Sequence, residues 1–260
     1  MKLGCNYSEE LMVLIEEDAV EVDCIKMGYF QPFIGLHEEI VKKKSILIHG
    51  FGKHEHIGMV DPVRNNDWQY MNDILNQYES PHLAVHFAIY DKDLHAVMDI
   101  KQRLDQGITI FKEHLEVPLI IENMDYNPFY NPHYVKPEAV DPDFITEMCE
   151  KHDVGLLLDT AHASVSAYHL KMDVHDYLRR LPLNKVKEIH FVGTQMTEDK
   201  GLIDMHTPLT PRDYDLLDWL RYKCKPEIVT LEYGWPGSDF SWRTSKEEIK
   251  KQLIEIRKRF

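Results

Sequence analysis

Eight short apolar runs alternate with longer amphipathic segments along the chain. Each run has the length and aliphatic content of a buried strand, as in Leu156-Leu157-Leu158. We predict strands at residues 3–7, 20–27, 46–50, 83–89, 118–124, 155–162, 187–193 and 228–234. The other segments predict helices at residues 8–18, 32–44, 66–78, 93–116, 141–153, 174–181, 211–223 and 245–260. Ser8 and Ser245 are the expected N-caps of the first and last helices.

The alternation of strands and helices predicts βαβ units and a parallel sheet, and therefore the α/β class. Eight such units in 260 residues favour a closed (β/α)8 TIM barrel that forms one domain over residues 1–260. A doubly wound open sheet is the alternative. That fold usually has a glycine-rich turn after its first strand, where this chain has Asn6-Tyr7-Ser8.

Two connections, residues 52–66 and 125–142, are rich in Pro, Asn, Gly and aromatic residues. Both follow predicted strands, so both would lie at the mouth of a barrel, and we interpret them as loops that cover a substrate. Irregular surface connections are the alternative interpretation. Aromatic residues near the mouth would contact a planar or apolar substrate group, or else pack the loops; they are Tyr126, Phe129, Tyr130, Trp235 and Trp242.

Composition and charge narrow the class of protein. The content of 43% hydrophobic and 28% charged residues is that of an ordinary folded protein, and the net charge of −14 argues against a general nucleic-acid surface. No stretch approaches the roughly 18 apolar residues of a membrane span, and the N-terminal segment lacks the apolar core of a signal peptide. Scattered cysteines without a CxxC pair favour reduced thiols, so we expect a cytoplasmic protein; they are Cys5, Cys24, Cys149 and Cys224.

Six of the predicted strands end in a histidine or a carboxylate. Because the carboxyl ends of barrel strands converge on one cavity, we expect these side chains to meet there. Three more potential ligands lie just beyond strand ends. Together they give nine candidate metal ligands: His49, His86, Glu122, Asp159, His162, His190, Asp204, His206 and Glu232.

Metal ions explain this convergence better than packing does. A lone buried histidine is usually a hydrogen-bonded core residue, but core histidines have no reason to favour the same end of successive strands. Four carboxylates in one cavity would repel one another, and no Lys or Arg is expected at those strand ends. Nine ligands exceed the capacity of one ion, so two or three divalent ions are implied. Ligands of His and carboxylate without thiolate suit Fe, Zn or Mn.

Eight of the remaining histidines fall into two groups. His54 and His56 lie in the first long loop, where they could touch a substrate. The others fall on helices or connections and are expected to face solvent; they are His37, His95, His114, His152, His169 and His175.

The ligand order His, His, Glu, DxxH, His, DxH, Glu resembles that of the xylose-isomerase-like barrel superfamily. It matches the trinuclear metal site of endonuclease IV-type apurinic endonucleases, ligand for ligand. Other stretches are more similar to the multinuclear non-heme iron-dependent oxidases, the family of the methanobactin-biosynthesis oxidase. These stretches are IIENM, LLLDTAHASVSA, and EIHFVG followed by LIDMHTPLTPRDYDLLDWL. His162 departs from the oxidase pattern, in which Asn is common at this position, and is closer to the nuclease-type set.

The resemblance to the oxidases implies a cluster of two or three irons that activates O₂ and modifies cysteine or other residues of a ribosomally made peptide. A partner protein could deliver that peptide. All nine candidate ligands would hold the ions. Asn123 would either ligate an ion or orient one of the ligands without contacting the ion itself. The catalytic residues would then be Asp159, His162, His190 and Glu232.

Two other enzyme classes stay open. A metal-dependent phosphodiesterase acting on DNA fits the ligand set, although the mouth loops contain only three cations, Lys53, Arg64 and Lys136. A sugar isomerase or epimerase would need a single Mn or Mg ion. It would leave four candidates without a role, namely His49, His86, Asp204 and His206. A non-enzymatic binding module does not explain why so many potential ligands converge.

Overall fold

Eight parallel strands form the main sheet of the protein in a computed structural model that describes residues 1–52, 56–89, 99–129 and 135–259. The described strands, in chain order, are β1 (Lys2–Asn6), β2 (Cys24–Met27), β3 (Ser45–Ile48), β4 (Leu83–His86), β5 (Leu119–Glu122), β6 (Gly155–Asp159), β7 (Val186–Phe191), β8 (Gly193–Thr197), β9 (Gly201–Thr207) and β10 (Ile228–Leu231). The main sheet has the order β3-β2-β1-β10-β7-β6-β5-β4, while β8 and β9 form a separate antiparallel hairpin. All eight predicted strands are therefore present.

Side chains connect the two outer strands of the sheet, β3 and β4. The backbone N–H of Ile48, at the end of β3, donates to Ser80 Oγ at 3.2 Å, shortly before β4 begins. At the carboxyl end, His49 Nε2 and His86 Nε2 approach the same Glu122 oxygen, at 3.7 and 3.5 Å. Side chains that follow or end the two outer strands therefore meet at Glu122 of β5. The sheet is the (β/α)8 TIM barrel that the sequence predicts.

Helices follow most strands in the predicted order. The described helices are α1 (Glu9–Glu16), α2 (His37–Ile40), α3 (Val60–Arg64), α4 (Trp68–Gln77), α5 (Ile100–His114), α6 (Pro142–His152), α7 (Thr160–His169), α8 (Val174–Arg180), α9 (Pro211–Leu220) and α10 (Lys246–Arg257). Ser8 and Ser245 cap α1 and α10 as predicted, since each Oγ accepts a backbone N–H from the first turn, at 3.1 and 3.4 Å. Among the described helices, none combines the length and apolar character needed to cross a bilayer.

Several predicted elements differ in extent from the observed ones; the second strand, for example, begins at Cys24 and not at residue 20. The predicted helix at residues 32–44 is reduced to the single turn α2, because Pro32 and the left-handed Gly35 (φ 93°) interrupt the segment before it. The strand predicted at 155–162 ends at Asp159, whose side chain caps α7. The helix predicted from residue 93 begins at Ile100, and residues 90–98 lie outside the described part of the chain.

Helix α7 and the β8–β9 hairpin are absent from the sequence prediction. Half of the side chains of α7 are buried Ala, Ser and Thr, so the helix has no single apolar stripe that its sequence would display. The hairpin follows β7 after one residue, and the apolar run of β7 hides the boundary between them. Both elements matter for the site, because α7 carries His162 and β9 carries two further candidate ligands.

The barrel interior changes from apolar to charged along its axis. Small apolar clusters fill the end where the strands begin: Cys24, Leu47 and Ile228 in one, and Ala84, Ile120 and Leu157 in the other. Lys26 and Glu188 form a buried ion pair inside the barrel, with Nζ and Oε1 2.8 Å apart. This pair lies next to His190, on the side of its ring away from three of the candidate carboxylate ligands.

Candidate metal centre

All nine candidate ligands lie together at the carboxyl end of the barrel. Six come from the ends of strands β3, β4, β5, β6, β7 and β10, as the sequence predicts. His162 lies in the first turn of α7, while Asp204 and His206 lie on β9. Their side chains form three adjoining donor sets.

Glu122 joins two of these sets. Its Oε2 atom faces His49 and His86, and its Oε1 atom lies 3.3 Å from His190 Nδ1. Two ligand atoms that bind the same divalent metal ion are about 3.0–3.5 Å apart, because each metal–ligand bond is about 2.0–2.2 Å long. The observed separations are close to that range. Glu122 can therefore bridge two ions, one through each oxygen.

Three carboxylates surround the Nδ1 atom of His190. In addition to Glu122, Glu232 Oε2 lies at 3.4 Å and Asp159 Oδ2 at 3.7 Å. The other oxygen of Asp159 accepts the backbone N–H of His162 at 2.6 Å, which caps α7 and turns Oδ2 toward His190. The second donor set thus has one nitrogen and three carboxylates.

Asp204 lies at the centre of the third set. Its Oδ2 atom is 3.3 Å from His206 Nε2 and 3.5 Å from His162 Nε2. His206 has a left-handed backbone (φ 48°), which a non-glycine residue keeps only where its surroundings hold it. His169 on α7 holds the hairpin in place through a 2.9 Å bond from Nε2 to Leu202 O. The hairpin therefore supplies two ligands that the main sheet does not.

Backbone carbonyls decide which ring nitrogen of two histidines is available. His162 Nδ1 donates to Asn123 O at 2.8 Å, and His206 Nδ1 donates to Glu232 O at 3.0 Å. Both rings consequently direct Nε2 at Asp204. This arrangement is common for metal-binding histidines, because the second hydrogen bond fixes the tautomer and the ring orientation.

Asn123 holds Asp159 in place through both polar atoms of its side-chain amide. Its Nδ2 donates to Asp159 O and its Oδ1 accepts Asp159 N–H, both at 3.0 Å. Both amide atoms are therefore engaged, and the residue is fully buried. Of the two roles that the sequence leaves open for Asn123, this geometry fits the orienting one.

Several atoms of the donor sets are buried without a hydrogen-bond partner in the described part of the chain. They are His49 Nδ1, Glu122 Oε2, Asp159 Oδ2, both ring nitrogens of His190, and Glu232 Oε2. Such atoms are rare, because each costs about 1–3 kcal/mol and more when it is charged. Metal ions would satisfy the carboxylate oxygens and His190 Nδ1 at once. The donor sets thus fit a cluster of metal ions.

The pKa values show how strongly these groups interact. Burial raises the pKa of Asp159 to about 6. Burial lowers the pKa of His49 to about 3, and the nearby Lys26 ammonium adds to that effect. In Glu122, the imidazoles of His86 and His190 outweigh burial and lower the pKa. Shifts in opposite directions within one cavity are typical of functional sites, and the neutral form of His49 is the form that binds metal.

None of the six described strand ends that carry a candidate ligand has a cation, but Lys26, near the end of β2, is buried close to the site. Its Nζ atom is 2.8 Å from Glu188 Oε1, and both side chains are buried. Glu188 also accepts from Thr230 Oγ1 at 2.7 Å and pairs with His82 Nε2 at 2.9 Å. Lys26 therefore neutralises Glu188 and does not replace the metal ions. Glu188 lies two residues before His190 on β7, so both side chains point into the barrel. The sequence prediction does not include Glu188, although this spacing could have identified it as a site residue.

A cavity of about 260 Å³ opens above the donor sets. Apolar and aromatic residues line it together with several of the ligands; they are Met27, Phe30, Phe33, Met124 and Trp235. Of the five aromatic residues predicted near the mouth, Trp235 is the one that lines the described cavity, whereas Tyr130 lies outside the described residues. His56 stacks on His86, with ring centroids 5.2 Å apart, whereas His54 lies outside the described residues.

Other sequence expectations near the mouth have mixed outcomes. His37 does not face solvent, since it is buried and its Nε2 bonds Gly28 O at 3.0 Å. His95 lies outside the described residues, as do residues 53–55 and 130–134 of the two long loops. The described parts of those loops contain α3 and a 3₁₀ turn at Pro137–Val140. Their role in covering a substrate stays a prediction.

The fold and the donor sets define a xylose-isomerase-like TIM barrel. It is similar to the solved IOLI protein with a bound zinc atom, with a TM-score of 0.64 and 14% identity over 100% of this chain and 99% of that one. A xylose isomerase domain protein from Planctomyces limnophilus gives a TM-score of 0.60 and 13% identity, over 99% and 96%. At these identities the similarity shows the fold alone.

The chain belongs to the RiPP precursor modification enzyme family MbnB/TglH/ChrH, whose model matches residues 31–242. This confirms the resemblance found in the sequence. A UPF0276 protein of Psychromonas ingrahamii is 26% identical over 207 residues, covering 75% of this chain and 71% of that protein. A UPF0276 protein of Bordetella pertussis is 30% identical over 175 residues, covering 64% and 52%. The matched region thus spans about half the length of the Bordetella relative.

Proposed function

We propose that this protein is a multinuclear metal-dependent oxidase that uses iron and O₂ to modify residues, such as cysteine, of a ribosomally made peptide. The observation that carries the proposal is the presence of three adjoining donor sets joined by Glu122, which offer more ligands than one ion can take. The family supports a peptide substrate. We place the reaction in the cytoplasm, since all four cysteines are unpaired thiols, and we expect a partner protein to deliver the peptide.

We assign one ion to each of the three donor sets. His49, His86 and Glu122 would hold the first ion, and His162, Asp204 and His206 the third. The middle ion would take Glu122, Asp159, His190 and Glu232. When bound, iron supplies the redox chemistry that activates O₂.

The protein's own residues prepare the site for that chemistry. Asn123 and the carbonyl of Glu232 fix the rings of His162 and His206, so ligand geometry is set before a substrate enters. Phe33 and Trp235 pack edge to face, with centroids 5.1 Å apart, and present aromatic ring surface to one side of the cavity. A peptide side chain in this cavity would lie directly above the donor sets.

A metal-dependent phosphodiesterase is the second candidate. His162 favours it, because its Nε2 atom completes the third donor set with Asp204 and His206. The charge of the site weighs against it, since Lys26 is already paired with Glu188 and a nucleic acid would need several free cations. A sugar isomerase with one ion would leave the third set unused.

The test is the metal content of protein purified without oxygen, measured by elemental analysis beside a visible spectrum. We expect two or three irons per chain and a spectrum that changes when air is admitted. Stoichiometric zinc with no response to air would overturn the proposed oxidase activity. It would favour a hydrolase, for which abasic DNA is the substrate to test. A single Mn or Mg per chain would overturn both in favour of a sugar enzyme.

A further inference from the structure

Arg243 is a buried cation at the edge of the cavity. It belongs to a short 3₁₀ turn, Ser241–Arg243, and only 8% of its surface is exposed. It lines the same cavity as His206 and Glu232. In the described part of the chain, its side chain has no hydrogen bond, and no carboxylate lies within 4.0 Å of its guanidinium; its Nε atom is among the buried atoms without a partner.

Aromatic rings hold the guanidinium in place. It lies 4.7 Å from the ring centroid of Trp235 and 4.8 Å from that of Phe240, and the two rings are 5.0 Å apart and nearly perpendicular. The turn itself is tied to the strand that carries the third donor set, because Trp242 Nε1 donates to Met205 O at 3.0 Å. Cation–π contacts fix the position of Arg243 but leave its N–H donors unused.

Two other polar atoms on this wall of the cavity also lack a partner. The Oδ1 atom of Asn6, at the end of β1, and the Nε1 atom of Trp235 are both buried and unpaired among the described residues. An unpaired buried group carries a free-energy cost that a ligand can relieve. Arg243, Trp235 and Asn6 together therefore offer donors and one acceptor to a molecule in the cavity.

We propose that Arg243 binds a carboxylate of the substrate peptide, next to the residue that is modified. Its planar N–H groups match the two oxygens of a carboxylate, and Asn6 Oδ1 would accept a backbone N–H of the same peptide. The cavity of about 260 Å³ is smaller than most small-molecule sites, so it admits one terminal residue or one side chain with its neighbour. The inference depends on the proposed function for one point only, that the ligand is a peptide.

The carboxylate can come from the C-terminus of the peptide or from an acidic side chain, and both give the same contact. A phosphate is less well matched, because Arg243 is the single cation of the described cavity lining that has no anionic partner. Asn6 and Arg243 also lie outside residues 31–242, which match the family, so they can determine which peptide this chain accepts.

The test uses metal-loaded protein and isothermal titration with short alanine-based peptides that contain no thiol. In the first pair, one peptide has a free C-terminal carboxylate and the other is amidated there. In the second pair, both peptides are amidated at the C-terminus, and one contains Asp where the other contains Asn. We expect the acidic member of at least one pair to bind on the order of tenfold to a hundredfold more tightly than its neutral partner. The pair that shows the difference identifies the source of the carboxylate.

Variants then show whether Arg243 causes that preference. Arg243→Gln should abolish it, Arg243→Lys should retain part of it, and the exposed Arg212→Gln should leave it unchanged, with folding checked by circular dichroism. Equal binding of acidic and neutral peptides to the wild type would overturn the proposal, as would a preference that survives in Arg243→Gln. Binding of inorganic phosphate that depends on Arg243, without binding of either acidic peptide, would overturn it too. These peptides contain no thiol, so their binding does not depend on oxidation at sulfur. The metal content of the same samples therefore tests the proposed oxidase separately.

Discussion

His190 Nε2 lies 3.4 Å from Glu188 Oε1, while the opposite ring nitrogen, Nδ1, faces three carboxylates of the donor sets. Glu188 thus connects the candidate metal centre to the buried Lys26 beneath it. Lys26 and the neighbouring imidazoles hold the pKa of Glu188 well below its usual range although burial opposes this. The ring of His190 therefore lies beside an ionised carboxylate whose own charge is balanced inside the barrel.

We expect Glu188→Gln to destabilise the protein by about 3–5 kcal/mol, because it leaves the Lys26 ammonium buried without a counter-charge. The double variant Lys26→Met/Glu188→Gln should recover most of that loss, since it removes both charges. Urea unfolding followed by circular dichroism measures the effect. Metal content should fall in both variants, because neither holds His190 through a carboxylate.

The exposed pair Lys187–Glu227 provides a matched control, with Nζ and Oε1 2.8 Å apart and both side chains more than half exposed. Glu227→Gln should change the free energy of unfolding by less than about 1 kcal/mol. Equal effects of Glu188→Gln and Glu227→Gln would show that the buried pair has no special role.

Single substitutions should remove different numbers of ions. His206→Ala affects the third donor set alone, whereas Glu122→Ala affects the two sets that it joins. We expect the first variant to lose about one metal ion per chain and the second at least two, with the barrel still folded. Elemental analysis of anaerobically purified protein measures this, with Glu227→Gln as the control. Full metal occupancy in both variants would contradict the assignment of these ligands.

The strands and most of the site could be predicted because each depends on local sequence. An apolar run that ends in His49, Glu122 or Asp159 shows both a buried strand and a polar residue at its carboxyl end. The barrel then brings these ends together by topology alone. Asp204 and His206 were recognisable as candidate ligands by their spacing, although the hairpin that presents them was not recognisable as a hairpin.

The remaining features depend on contacts between distant parts of the chain. Lys26 and Glu188 are 162 residues apart, and only the closed barrel shows that their charges pair. Arg243 follows an aromatic-rich segment that resembles a surface loop in the sequence. Its burial between Trp235 and Phe240 results from tertiary packing, which no local pattern displays.

Asp159→Asn should stabilise the metal-free protein at neutral pH. The folded state raises the pKa of Asp159 from 3.8 to about 6, so ionising this carboxyl in the folded protein costs roughly 3 kcal/mol at pH 7. That cost is absent below about pH 3.8, grows as the pH rises from there to about 6, and is complete above 6. Asn removes it while keeping an acceptor for the α7 cap.

Thermal unfolding of EDTA-treated protein at several pH values tests this. The melting temperature of Asp159→Asn should exceed that of the wild type at pH 7.5, and the difference should vanish toward pH 4. Asp159→Ala serves as the control, because it also removes the charge but loses the helix cap, at a cost of about 1 kcal/mol. A difference that does not change with pH would show that the ionised carboxylate is not the cause.

The four cysteines of the chain should resist modification while the protein is folded. All are buried, and burial raises the pKa of Cys24 and Cys149 to about 12 and that of Cys224 to about 11. Because the thiolate is the reactive form, an oxidant formed in the cavity would meet a substrate thiol before any of these. We expect no labelling by iodoacetamide at pH 8 in the native state and four labels per chain in urea, counted by mass spectrometry. Rapid native labelling of any one cysteine would show that the enzyme's own thiols compete with the substrate for oxidation.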